Sequence, residues 1–95
     1  MHIITKKRIT EAKQKYHSCV SALDGWFKVA ESNKFTNFAD LKKTFNNVDK
    51  VNNFFVFDIG GNKLRLITSI HFNRQKIYIR HILTHKEYDE KKWRN

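Results

Sequence analysis

Two stretches in the second half of the chain, KLRLITSIHF (63–72) and KIYIRHILT (76–84), alternate along their length with a period of two. A strand sends successive side chains to opposite faces, so this pattern suits extended chain with two unlike faces. Just before them, NFFVFDIG (53–60) is aromatic and β-branched, the composition of a strand. Gly60 and Gly61 are the only paired glycines, proline is absent, and NRQ separates the two alternating runs. Three strands joined by two tight turns are therefore expected after Lys50.

The first half keeps a different period. HIIT (2–5) reads as a short strand. Ile9, Ala12, Tyr16, Val20, Leu23, Phe27 and Ala30 then recur at steps of three or four, the stripe of an amphipathic helix. A break is expected near His17–Ser18, with Ser18 capping a second helix. NFADLKKTF (37–45) is a third, shorter helix: Asn37 can cap it, Asp40 lies in its first turn, and Phe38, Leu41 and Phe45 share one face. EYDEKKWRN (87–95) fits one or two terminal helical turns. The expectation is an α+β fold: a short N-terminal strand and helices packed on a small antiparallel sheet, closed by a short C-terminal helix. The 95 residues, 40% hydrophobic and 14% aromatic, suit a single domain over 1–95 with one modest core.

If the greasier faces meet the helices, Leu64, Leu66, Thr68, Ile70 and Phe72 point inward, as do Ile77, Ile79, His81 and Leu83. Arg65, Tyr78 and Arg80 then lie near one another on the open face, where cross-strand neighbours are ~5 Å apart at Cβ. Two guanidiniums and a phenol there would make a phosphate-binding surface.

Charge points the same way. Lys and Arg number 19 against 9 Asp and Glu, a formal net charge of +10, spread evenly along the chain. Such a domain selects polyanionic partners. Cys19 is the only cysteine, so neither an internal disulfide nor a cysteine zinc cluster can form. MHIITKKRIT (1–10) lacks the apolar core of a signal peptide, and no apolar run is long enough for a bilayer; a cytoplasmic protein without membrane partners is expected. The histidines show no metal-ligand spacing and no Asp/Glu pair suggests two-metal chemistry, so neither metal nor cofactor is expected.

THKEYD (84–89) concentrates proton-handling groups at the end of the last strand. Thr84-x-x-Glu87 fits a capping box, with Leu83 and Tyr88 as its hydrophobic staple. That explains Thr84 and Glu87 and leaves His85 and Lys86 at the first helical positions, where free amides and the dipole suit phosphate and disfavour imidazolium. A neutral His85 there is a candidate general base. Arg65 and Arg80 are either phosphate contacts or ordinary charges paired with Asp58 or Glu87. Lys63 and Lys76 read first as surface lysines, Lys63 also as a phosphate contact beside Arg65. His81 reads as a core or edge histidine and Trp93 as the anchor of the C-terminal helix. GGNK (60–63) lacks the spacing of a phosphate loop and reads as a hairpin turn.

FDIGGNKLRLI (57–67) followed by YIRHILTHKEYD (78–89) resembles the HigB family of bacterial type II toxins, within the RelE-like ribonuclease fold. The likeness spans nearly the whole chain and is most specific in its second half. It implies an mRNA endoribonuclease acting on the translating ribosome without metal or other cofactor. The ribose 2′-OH would attack the adjacent phosphorus, leaving a cyclic phosphate and a 5′-OH. It also implies a cognate helix-turn-helix antitoxin, HigA-like, through whose complex alone operator DNA is bound. By position, Arg65 matches the arginine that holds the scissile phosphate, Lys86 a catalytic basic residue, and Tyr88 the C-terminal catalytic tyrosine. His85 and Arg80 match the HigB pattern itself. Asp58 departs from the usual asparagine, adding negative charge near the turn, and Leu64 replaces the commoner tyrosine. The contrasting expectation is a basic RNA- or DNA-binding module without catalysis, its sheet aromatics offered for base stacking.

Overall fold

The computed structural model describes residues 1–91 and Trp93. Lys92, Arg94 and Asn95, part of the expected terminal helical turns, lie outside the described residues. The elements run β1 (His2–Ile4), α1 (Lys7–Lys15), α2 (Val20–Ser32), α3 (Phe38–Thr44), β2 (Asp49–Val51), β3 (Phe54–Ile59), β4 (Leu64–His71), β5 (Lys76–Thr84) and α4 (His85–Asp89). One five-stranded sheet has the order β1-β5-β4-β3-β2.

The sheet is mixed, not purely antiparallel. β3, β4 and β5 form the expected meander, but β1 pairs parallel with β5, Ile3 opposite Ile77. A parallel neighbour needs a crossover, and here the helices and three strands of intervening chain supply it. Thr5, at φ 68°, closes that ladder: its Oγ1 accepts from Ile79 N at 3.1 Å and donates to Ile79 O at 3.0 Å. β2, not expected from the sequence because its three residues show little alternation, joins β3 through Asn52 and Asn53, Asn52 at φ 56°.

The local signals hold elsewhere. Between β3 and β4, Gly60, Gly61 and Asn62 take φ of 66°, 59° and 74°, a left-handed run that glycine makes cheap. A Cβ on Gly60 would also stand 3.1 Å from Cys19 Sγ. Asn37 Oδ1 accepts from Asp40 N at 2.8 Å, capping α3. Ser18 does not cap α2. A 3-10 turn over His17–Cys19 carries the chain directly from α1, and Cys19 sits at the cap with no side-chain bond.

Helices cover one sheet face. Leu23, Leu41, Leu64, Leu66, Ile77 and Ile79 are essentially inaccessible there. Trp26 and Phe45 meet the Phe57 ring edge-on at 5.3 and 5.1 Å. Buried Thr68 donates to Phe55 O at 2.9 Å, so it costs the core no unpaired hydroxyl.

The alternation breaks once. Between Ile67 and Thr68 the β5 partner jumps from His81 to Ile79, leaving Arg80 as the extra residue of a bulge. One inserted residue reverses the parity beyond it. Ile82 therefore joins the helix-side core, while His81 and Leu83, expected inside, sit opposite Ile67 and Arg65 on the other face. That face is not open along its length. Val56, Ile67 and Trp93 form a second small core there, extended by Val51, Phe54, Leu83 and Tyr88. No helix among the described residues is long and apolar enough to cross a membrane.

Candidate active site

The bulge aims the end of β5 at the second face, and α4 begins there. Glu87 N donates to Thr84 Oγ1 at 3.2 Å and Thr84 N to Glu87 Oε1 at 2.9 Å, the reciprocal bonds of a capping box. The Thr84 amide first, and then its hydroxyl, which donates to Glu87 Oε1 at 3.1 Å, hold the Glu87 carboxyl below its ordinary value of 4.5. Leu83 and Tyr88 pack on the same apolar patch, completing the staple.

Capping orients the residues it does not use. His85 and Tyr88, three apart, share one face of the turn, about 5–6 Å between Cβ atoms. His85 is exposed, and its Nδ1 lies 2.9 Å from Asp89 Oδ2, one turn on. A carboxylate one turn away on the same helix face can orient the imidazole. Asp89 was not anticipated, although its i, i+4 spacing from His85 is visible in the sequence.

Tyr88 stacks on the Trp93 indole, centroids 5.0 Å apart and planes 15° from parallel. Trp93 is buried and donates from Nε1 to Tyr88 O at 2.9 Å, so it anchors the C-terminal segment as expected. The guanidinium carbon of Arg65 lies 5.5 Å from the Tyr88 ring centre. Such a contact is worth ~0.5–2 kcal/mol, the more as water is excluded. Arg65 thus reaches the turn from the neighbouring strand.

Arg65 already has an anionic partner. Its Nη1 is 2.5 Å from Asp58 Oδ1 across the β3–β4 ladder, with the side chains 13% and 26% exposed. The contact is ionic without the alignment of a directed hydrogen bond, and Nη1 is buried with no other partner among the described residues. Asp58 therefore lies on the site face, against the group assigned to phosphate.

The remaining candidates divide. Lys86 is exposed at the second position of α4, and Lys63 is exposed in the β3–β4 turn. Arg80 does not join Arg65. Its Nε donates to Ser69 Oγ at 3.1 Å, four residues farther along β4, or ~13 Å at strand rise. The patch of Ile67, Val56 and Trp93 intervenes. Tyr78 stands beyond it too, its ring 5.4 Å from that of His71. His81, half-buried on the site face, has its pKa lowered by burial first, then by Arg8 and Arg80. Of the β3 aromatics, Phe55 and Phe57 are buried in the helix-side core, and half-buried Phe54 meets Trp93 edge-on at 5.8 Å.

Comparison with known proteins comes to bear on this arrangement. Residues 19–91 match a family model described as HigB toxin, the RelE-like toxic component of a toxin-antitoxin system. Over 92 residues, 94% of this chain and 88% of the relative, the chain is 36% identical to the mRNA interferase toxin HigB of Escherichia coli K12. It is 34% identical to the mRNA interferase HigB of Escherichia coli O6:H1 over 93 residues, 95% of this chain and 90% of the relative. The mRNA interferase HigB of Shigella flexneri is 36% identical over 92 residues, again 94% and 88% of the two chains.

Proposed function

The chain belongs to the HigB family of RelE-like toxins, components of toxin-antitoxin systems, and from that premise we propose that it is an mRNA endoribonuclease whose chemistry lies at the start of α4. The observation that carries the reading is the meeting of Arg65 with Tyr88 one helical turn from the His85–Asp89 pair. A phosphate binder, a proton acceptor and an orienting carboxylate are what cleavage by an internal nucleophile needs.

His85 Nε2 takes the proton of the ribose 2′-OH, whose oxygen attacks the adjacent phosphorus. Arg65 offsets the negative charge that grows on the pentacovalent centre. The bond from phosphorus to the 5′-oxygen breaks, leaving a 2′,3′-cyclic phosphate. Tyr88, held between Arg65 and Trp93, positions the guanidinium and carries the hydroxyl that protonates the leaving oxygen. Lys86 and Lys63 supply further positive charge to the phosphates. Asp89 acts through His85 as a positioning residue.

The setting that goes with this reading is the cytoplasm, with mRNA engaged on the ribosome, and a HigA-like helix-turn-helix antitoxin that blocks the toxin and alone brings it to operator DNA. A net charge of +10 suits a site walled by ribosomal RNA. The test is to incubate translating ribosomes with the protein and map new 5′-OH ends. Ends that appear with the wild type and vanish with Arg65→Ala are expected; no new ends at any dose would remove the nuclease reading.

A further inference from the structure

The far end of the sheet holds basic groups that the cleavage chemistry does not use: His71 and Arg80 on the site face, and Lys50, opposite Phe55, on the helix-side face near the β2 edge. Lys50, His71 and Arg80 line an open cavity of about 420 Å³, with Asn53 and Ser69 among its polar groups and Phe72 in its wall. Among the described residues, no acidic one lines it. The contrast with Arg65 is direct. Arg65 is nearly buried against Asp58, whereas Arg80 is exposed and, among the described residues, has no carboxylate partner.

The bulge explains why Arg80 is available. As the extra residue on β5 it has no Cα partner on β4, and its Nε is steadied by Ser69 Oγ at 3.1 Å. That bond uses one of five guanidinium donors and leaves the others for an anion. Lys50 comes from β2 and His71 from the end of β4, so three strands deliver positive or hydrogen-bonding groups to one concavity.

We propose that Lys50, His71 and Arg80 form a second phosphate-binding subsite, which holds the same RNA strand a few nucleotides from the phosphate at Arg65. The inference rests on the reading of Arg65 as a phosphate contact. Separation is the reason for assigning one strand to both. The ~13 Å along β4 between Arg65 and Ser69 is too far for one phosphate group and within reach of a short run of single strand. The cavity is basic and, among the described residues, free of carboxylates, which matches a phosphodiester backbone and fits neither a lone base nor a cationic peptide.

The probe is a series of fluorescent RNA oligonucleotides of increasing length, 2′-O-methylated throughout so that they bind without being cut. Affinity is measured from low to moderate salt for the wild type, Arg80→Ala, Lys50→Ala/Arg80→Ala and Arg65→Ala. The double variant is expected to bind the shortest oligonucleotides as the wild type does and to lose affinity only above a threshold length. Each phosphate contact contributes ~0.7 to the salt slope of a single strand. The slope for long oligonucleotides should therefore fall by about 1.4, with no change for short ones. Arg65→Ala should weaken binding at every length. Thermal melts identify any variant that fails to fold, and Lys50→Gln/Arg80→Gln then replaces the double alanine variant. Equal loss at all lengths, or no loss at any, would overturn the second subsite. A length-dependent loss without new 5′-OH ends on ribosomes would uphold the subsite and remove only the nuclease reading.

Discussion

The two faces of the sheet use apolar residues differently. The helix face is a continuous core in which Leu23, Leu41, Leu66 and Ile77 are fully excluded from water. The other face has a small apolar island, Val56, Ile67 and Trp93, between charged ends. One end holds Arg65, Asp58, Tyr88 and α4; the other holds Arg80 and His71, and Lys50 reaches their cavity from the helix-side face near the β2 edge. The first face secures the fold. On the second, burial is limited to what seats the C-terminal segment, and that segment in turn places Tyr88 against Arg65.

Substitutions on the two faces should therefore fail in different ways. The largest expected effect is His85→Gln. Loss of a general base lowers cleavage by ~10²–10⁴-fold, while affinity for a 2′-O-methylated RNA stays within a few-fold of the wild type; parallel loss of both would make His85 a binding residue. Next comes Leu66→Ala on the helix face, where truncating a fully buried leucine costs ~2–5 kcal/mol by denaturant titration. Leu83→Ala, in the outer staple, should cost less stability yet reduce cleavage, because α4 loses its seat. If Leu83→Ala proves as destabilising as Leu66→Ala, the two faces do not differ as described.

Asp58→Asn tests the charge already held at Arg65. Removing one negative charge beside a phosphate contact should tighten RNA binding on the order of tenfold at low salt, since a screened charge at a few ångströms is worth one to a few kcal/mol. The amide can still accept from Arg65. A weaker complex would show instead that Asp58 holds Arg65 in place for RNA. The control is Asp49→Asn, which removes an exposed charge from β2 without touching Arg65.

The smallest effects concern the cap and pH. Thr84→Ala should cost ~1 kcal/mol, as loss of an N-cap does. The Glu87 carboxyl is held below its ordinary value, so the box stabilises the fold fully above that value and loses its contribution as pH falls through the lower one. Glu87→Gln should flatten stability against pH in that acid range. His81 acts higher on the scale. Its folded pKa lies below the ordinary 6.5, so it favours the fold above 6.5 and the advantage is lost on acidification toward the folded value. His81→Gln should remove that slope and leave the acid limb of Glu87 in place.

The features legible in the sequence are those closed within a few residues. The Asn37 cap, the Thr84–Glu87 box and the Gly60–Gly61 turn each depend on neighbours no more than four positions away. The alternation of β4 and β5 was equally plain, as was the place of His85 at the head of a helix. What the sequence did not disclose was set by partners far along the chain. β1 lies parallel to β5 because residues 74 apart close their ladder, Thr5 with Ile79. The bulge at Arg80 carries no glycine or proline to announce it, and arises from how β5 registers against β4. A single unpaired residue exchanged the faces of His81, Ile82 and Leu83. By itself the sequence determined the elements, their caps and the residue types available for phosphate chemistry, because those depend on local backbone preference. Only the tertiary structure decided which of them meet, because strand register and the docking of Trp93 depend on packing across the whole sheet.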